Sequence, residues 1–117
     1  MANINQRKFP RASYPCFLTL WLKDKFDTIL TQTINISAAG VLVNIDHSLN
    51  IGAKTDVRVE FTDAMTFDCC GKIVRCLKNN EKENKFSIAI SFEGLDEEKL
   101  ALLIKLVDKL LLLEKDK

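Results

Sequence analysis

A single histidine, His47, stands in 117 residues, and that scarcity limits the chemistry the chain can do. The chain has no credible Ser-His-Asp order, no glycine-rich phosphate loop and no metal-spaced carboxylates. Little is left from which to build acid–base or nucleophilic catalysis, and an enzyme is not expected. Neither sign of charge is in excess, because 17 Lys and Arg against 16 Asp and Glu leave a net +1. Such a surface exerts no global attraction on nucleic acid or anionic membrane, so any anion site has to be local. Surface aromatics on basic strands are also scarce, which disfavours a small nucleic-acid-binding barrel. No run reaches the roughly 18–20 apolar residues of a membrane span, and residues 1–6 lack the apolar core of a secretory signal. A cytoplasmic chain without membrane or nucleic-acid partners is the expectation. With four glycines and two prolines there is no linker-like segment, nor is there an internal repeat. The length suits one domain.

Four cysteines are present, Cys16, Cys69, Cys70 and Cys76, but no C-x-x-C pair. With His47 as the only nitrogen partner, no zinc site is expected. On a strand, Cys69 and Cys70 would face opposite ways, against a bridge between them. All four read as reduced thiols that pack as small hydrophobes. His47, near a turn, reads as a solvated loop residue.

Short apolar and β-branched runs recur between turn signals for most of the chain, the mark of an all-β protein. Strands are expected over 15–23, 28–36, 41–45, 56–61, 65–77 and 85–92, with a turn at 48–52 and a polar loop at 78–84. In the first, Cys16, Leu18, Leu20 and Leu22 alternate with Phe17, Thr19 and Trp21. In the second, Ile34 and Ile36 are expected on one face and Thr31 and Thr33 on the other. Val57, Val59 and Phe61 oppose Asp56, Arg58 and Glu60 in the clearest half-buried pattern. Six strands at this spacing favour a closed barrel or compact sandwich, because closure removes exposed edges.

The period then changes. Asp96 is placed to cap a helix whose first turn carries Glu97 and Glu98, where the helix dipole favours negative charge. Leu100, Leu103, Ile104, Val107, Leu110 and Leu111 form an apolar stripe, widened by Leu102, Leu106, Leu112 and Leu113 beyond the usual core-facing arc. The helix is expected to pack over the barrel. A second buried surface, and with it a homodimer through this helix, stays open.

Two motifs remain. Arg7-Lys8-Phe9-Pro10-Arg11 reads R-x-x-x-R, and Asn35-Ile36-Ser37-Ala38-Ala39-Gly40 reads N-x-S-x-x-G, each followed by strand-like sequence. Each alone is weak, since the first arises by chance in a basic chain and the second can be a self-capping turn. In this order and spacing they resemble the signature of PilZ domains. The resemblance extends over about residues 6–95, through Leu49 to Gly52, Gly71-Lys72-Ile73-Val74-Arg75 and Phe86 to Phe92. It implies a six-stranded antiparallel β-barrel with a C-terminal helix that binds cyclic di-GMP as a ligand, with no cofactor.

On that resemblance the chain divides into an N-terminal arm at 1–14, a barrel at 15–95 and a helix at 96–117. Pro10 disfavours a helical conformation at Phe9 and so favours an extended arm. The Cα atoms of Arg7 and Arg11 are then up to about 13 Å apart. Guanidinium forks pair bidentately with phosphate oxygens and with guanine O6 and N7, and stack on bases. Asn35 occupies a position where the family has Asp or Asn; its amide oxygen can accept from guanine N–H groups, without the strength a charge would add. Ser37 can donate its hydroxyl to phosphate or base. Gly40 is expected to adopt backbone angles forbidden to other residues and so admit the ligand closely. Lys8 and Arg75 are candidate extra contacts. Ala89 departs from the family, many of whose members carry glycine there, and is expected to affect packing more than ligand contact. With only Ile4, Phe9 and Tyr14 to anchor it, the arm is expected to be mobile until ligand orders it, changing the surface offered to a protein partner that the sequence does not identify. The rival is a PilZ-like adaptor that binds a protein and no nucleotide.

Overall fold

The computed structural model describes residues 9–24, 27–61, 64–79 and 84–115. Six strands among them, β1 (Phe17–Leu22), β2 (Asp27–Ile36), β3 (Gly40–Ile45), β4 (Lys54–Glu60), β5 (Thr66–Lys78) and β6 (Phe86–Glu93), precede one helix, α1 (Glu97–Lys115). The strands close into a barrel in the order β1-β2-β3-β6-β5-β4, each antiparallel to its neighbours. Alternating polarity produces this closure strand by strand. In β4, Thr55, Val57 and Val59 are buried while Lys54, Asp56, Arg58 and Glu60 are exposed. In β1, Leu18, Leu20 and Leu22 point inward, and Leu20 is in register with Ile29 of β2 on one side and Val57 of β4 on the other. Registered apolar neighbours on three strands bury one another inside the barrel, the chief favourable term in its stability.

The expectation that Ile34 and Ile36 share a face fails. A β-bulge shifts the β2–β3 register between Thr33 and Asn35, so Thr33 and Ile36 are buried and Ile34 is exposed. A bulge adds one residue to one strand and thereby moves everything after it to the other face. A second shift interrupts the β5–β6 pairing between Ile73 and Arg75, leaving Val74 exposed.

Asp96 caps α1, its carboxylate accepting the Lys99 backbone N–H at 2.8 Å. The helix buries Leu103, Leu106, Val107 and Leu110 in the same core as the barrel residues. Leu102 and Leu112 remain exposed. They lie about 15 Å apart along the axis and about 80° apart around it, so they do not form one stripe.

Candidate functional site

The second motif turns the chain from β2 into β3. Ser37 N–H donates to the Gly40 carbonyl at 2.9 Å, and Ser37 Oγ accepts from Ala39 N–H at 3.1 Å. The hydroxyl is thus used as a turn acceptor, and its own proton can still be donated. Gly40 is required here for a reason other than the one expected. Its φ is not positive, whereas those of Gly52 and Gly94 are; instead, a Cβ at Gly40 would stand 2.2 Å from the Ile90 carbonyl oxygen of β6. The glycine lets two strands approach, and no special backbone angle is involved.

The first motif reaches this turn through Ala12. Ala12 is fully buried and forms an isolated antiparallel bridge to Ile36, with N–H to carbonyl distances of 2.8 and 2.9 Å. Antiparallel pairing at Ala12 and Ile36 sets Arg11 beside Ser37, and alternation turns the exposed Arg11 side chain outward. Residues 9–14, read in sequence as part of the arm, therefore include backbone hydrogen bonds to β2, and Phe9 and Tyr14 pack partly against the core. Arg7 and Lys8 lie outside the described residues.

Arg75 comes to the site across the sheet. Asn35 is in register with Leu42, Leu42 with Ala89, and Ala89 with Arg75. One row thus crosses four strands on the outer face, at about 4.8 Å per strand. The two bulges flank its ends. A shallow pocket of about 250 Å³ follows the row, and Arg11, Asn35, Ser37, Gly40 and Arg75 all line it. The structure therefore brings together every described residue singled out by sequence. Ala89 also lines the pocket, in register between Leu42 and Arg75, while Ile88 and Ile90 on either side are buried in the core. Leu42, Val74 and Ser91 line the pocket as well and were missed. Alternation alone could have turned Leu42 outward from Val41 and Val43, but only pairing could place it beside Asn35.

The electrostatics of the pocket are one-sided. Among the described residues two arginines and no carboxylate line it. Three arginines lie among the described residues, and Arg58 is committed to Asp68, with Nε and Nη2 on the two carboxylate oxygens at 2.7 and 2.9 Å. That fork holds the Asp68 carboxyl below the usual carboxylate range. Arg11 and Arg75 have no ion-pair partner among the described residues. A larger groove of about 690 Å³ runs over β1 and β2, past exposed Phe17 (61%) and Leu30 (76%), but among the described residues Glu60 is its only charged lining residue. That groove does not suit an anion. The four cysteines are free thiols, and burial pushes Cys16 up to about 11 and Cys69 up to about 12, so both stay protonated near neutral pH.

These elements define a closed antiparallel barrel with a C-terminal helix and an arginine-bearing pocket at a hairpin. The PilZ domain profile matches residues 5–109, and the chain belongs to the PilZ domain family. Solved structures share the fold. The PilZ domain of Escherichia coli YcgR with c-di-GMP superposes with a TM-score of 0.76 at 15% identity, over 95% of each chain. YcgR in complex with c-di-GMP superposes with a TM-score of 0.78 at 15% identity, over 95% of this chain and 48% of that one. The Bacillus subtilis inhibitor of motility MotI/DgrA does so with a TM-score of 0.75 at 14% identity, over 96% of this chain and 53% of that one. The chain thus spans about half the length of these last two proteins. No curated protein matches it significantly by sequence. No helix among the described residues is long and apolar enough to cross a membrane.

Proposed function

We propose that this chain is a receptor for cyclic di-GMP that signals to a partner through a change of conformation. The carrying observation is the pocket itself: Arg11 and Arg75, which pair with no carboxylate among the described residues, meet Asn35 and Ser37 around a hairpin that Gly40 packs against β6. Leaving two guanidinium groups unmatched beside polar acceptors suits a dianion whose phosphates and guanines supply the missing partners. Arg7 and Arg11 take phosphate oxygens and guanine edges, with Lys8 adding charge. Asn35 accepts from guanine N–H groups and Ser37 donates its hydroxyl. The reading is supported by the family and by the shared fold of YcgR, which two structures hold with c-di-GMP.

Binding acts as a switch, with no reaction. Ligand fixes the arginine-bearing segment against β2 and alters the surface beside it for a protein partner. Four free thiols suit a reducing compartment, in keeping with a cytoplasmic receptor. Calorimetric titration with cyclic di-GMP, cyclic di-AMP and GTP tests the reading. Selective binding of the guanine dinucleotide is expected. Equal affinity for the adenine dinucleotide, or no binding of either at high micromolar concentration, overturns it and favours the nucleotide-free adaptor.

A further inference from the structure

The row Asn35, Leu42, Ala89, Arg75 changes character along its length. At the hairpin end stand the polar groups of Asn35, Ser37 and Arg11. In the middle, Leu42 and Ala89 offer only carbon to the outside, and Val74 adds to them because the bulge in β5 turns it outward next to Arg75. At the far end Arg75 is the cation among the described lining residues. A phosphate gains nothing over Leu42, Ala89 and Val74 themselves, which carry no side-chain donor; the one hydroxyl near them among the described lining residues, that of Ser91, lies on the next row toward Gly40. A flat base face does suit that floor, and the group that then reaches Arg75 is the edge of the base.

We propose that Arg75 reads the O6/N7 edge of a guanine whose face lies on Leu42 and Ala89, making it a specificity-determining residue of the site. This rests on the receptor reading above. Guanine presents two acceptors on that edge, O6 and N7, spaced for a guanidinium fork, whereas adenine presents N7 beside an N6 donor. A group that only donates pairs with both positions of guanine and meets a donor on adenine. Arg75 therefore contributes to guanine-over-adenine selection at the end of the site away from both motifs. Being exposed, its side chain is replaceable without disturbing the core.

The test compares the parent protein, Arg75→Ala and Arg75→Lys by calorimetry against cyclic di-GMP, cyclic di-AMP and a cyclic dinucleotide of 7-deazaguanine, which lacks N7. Arg75→Ala should weaken cyclic di-GMP binding about tenfold to a hundredfold, the range expected of a bidentate base contact, and narrow the preference over cyclic di-AMP. Arg75→Lys, which keeps the charge and donors to O6 and N7 but loses the planar fork, should fall between the parent and Arg75→Ala. The deaza ligand should bind the parent more weakly and lose much less on the substitution. Arg75→Ala binding like the parent overturns the assignment and leaves the receptor reading standing, as does an equal loss of cyclic di-GMP and deaza-ligand affinity on that substitution. A parent protein that binds no cyclic di-GMP overturns both.

Discussion

Ser13 donates both its backbone N–H and its hydroxyl to Oε1 of Glu114, at 2.6 and 2.9 Å, across 101 positions of sequence. Ser13 follows Arg11 by two residues and Glu114 stands in the last turn of α1, so the segment bearing an arginine of the site is tied to the end of the helix. Phe9 and Pro10 line one small cavity with Ile104, Val107 and Asp108 of α1 and Ala38 of the β2–β3 hairpin, a second junction of arm, helix and turn. Few backbone hydrogen bonds hold this segment, which places it at the low-stability end of the molecule. Glu114→Ala should speed amide exchange at Ala12 and Ser13 without affecting β4, and bound cyclic di-GMP should slow exchange over residues 9–12 far more than in β4. Exchange mass spectrometry decides. Equal protection of residues 9–12 and β4 in the free protein would refute the switch while leaving simple binding intact.

Arg7→Ala and Arg11→Ala should each weaken cyclic di-GMP binding by roughly tenfold to a hundredfold. A hydrogen bond to a charged group contributes about 1.5–3 kcal/mol, and about 1.4 kcal/mol is a tenfold change. Arg11 is exposed, so the thermal midpoint of that variant should stay within about a degree of the parent's, as expected of a surface substitution. Titration of both variants at parental affinity would place the site elsewhere.

Gly40 and Gly52 should tell space apart from backbone angle. At Gly40 a methyl group collides with a backbone oxygen that cannot swing aside, so Gly40→Ala should cost about 1–3 kcal/mol, as overpacking does. Gly52 has φ +93 and open space around it, so Gly52→Ala should cost about 1–2 kcal/mol through the left-handed backbone alone. Asn, which tolerates that region better, should recover stability at position 52 and worsen it at position 40. Denaturant midpoints of the four variants check this, and recovery by Asn at position 40 would contradict the close-approach account.

Acid should erode stability through paired carboxylates. Asp68 is held below its ordinary value of 3.8 by Arg58, and Glu93 below 4.5 by Lys54. A folded-state value below the unfolded one means the contribution is fully present above the unfolded value and is lost as pH falls through the folded one. Stability should therefore be flat in these groups from neutral pH down to about 5 and decline below about 4. Arg58→Gln should flatten that decline, as Asp68 then titrates near its ordinary value in both states. Both pairs are largely exposed, so the effect is small and weakens with added salt. Urea midpoints at pH 3, 4, 5 and 7 measure it, and parallel curves for the two proteins would refute the linkage.

Alternation was enough to place Leu18, Leu20 and Leu22 of β1 and Val57 and Val59 of β4 inside, although Thr19, expected outside with Phe17 and Trp21, is buried as well. Asp96 and the leucine spacing after it were enough for α1. In β2 the same rule misplaced Ile34, since the alternation of Thr31, Thr33, Ile34 and Ile36 does not say where the register shifts, which the pairing with β3 places between Thr33 and Asn35. Gly40 was singled out for the right position and the wrong reason, because a sequence shows that a side chain is missing and not what would collide with one.

The residues that make the pocket divide along the same line. Arg11, Asn35, Ser37 and Gly40 were legible because short-range order in two motifs brings their chemistry together within a bridge and a hairpin turn. Arg75, Ala89 and Leu42 become their neighbours only through the pairing of β3 with β6 and β6 with β5. Period two says which face a residue occupies, but not which residue stands beside it on the next strand. That choice belongs to barrel closure and to the two bulges, which set the register between strands far apart in the chain.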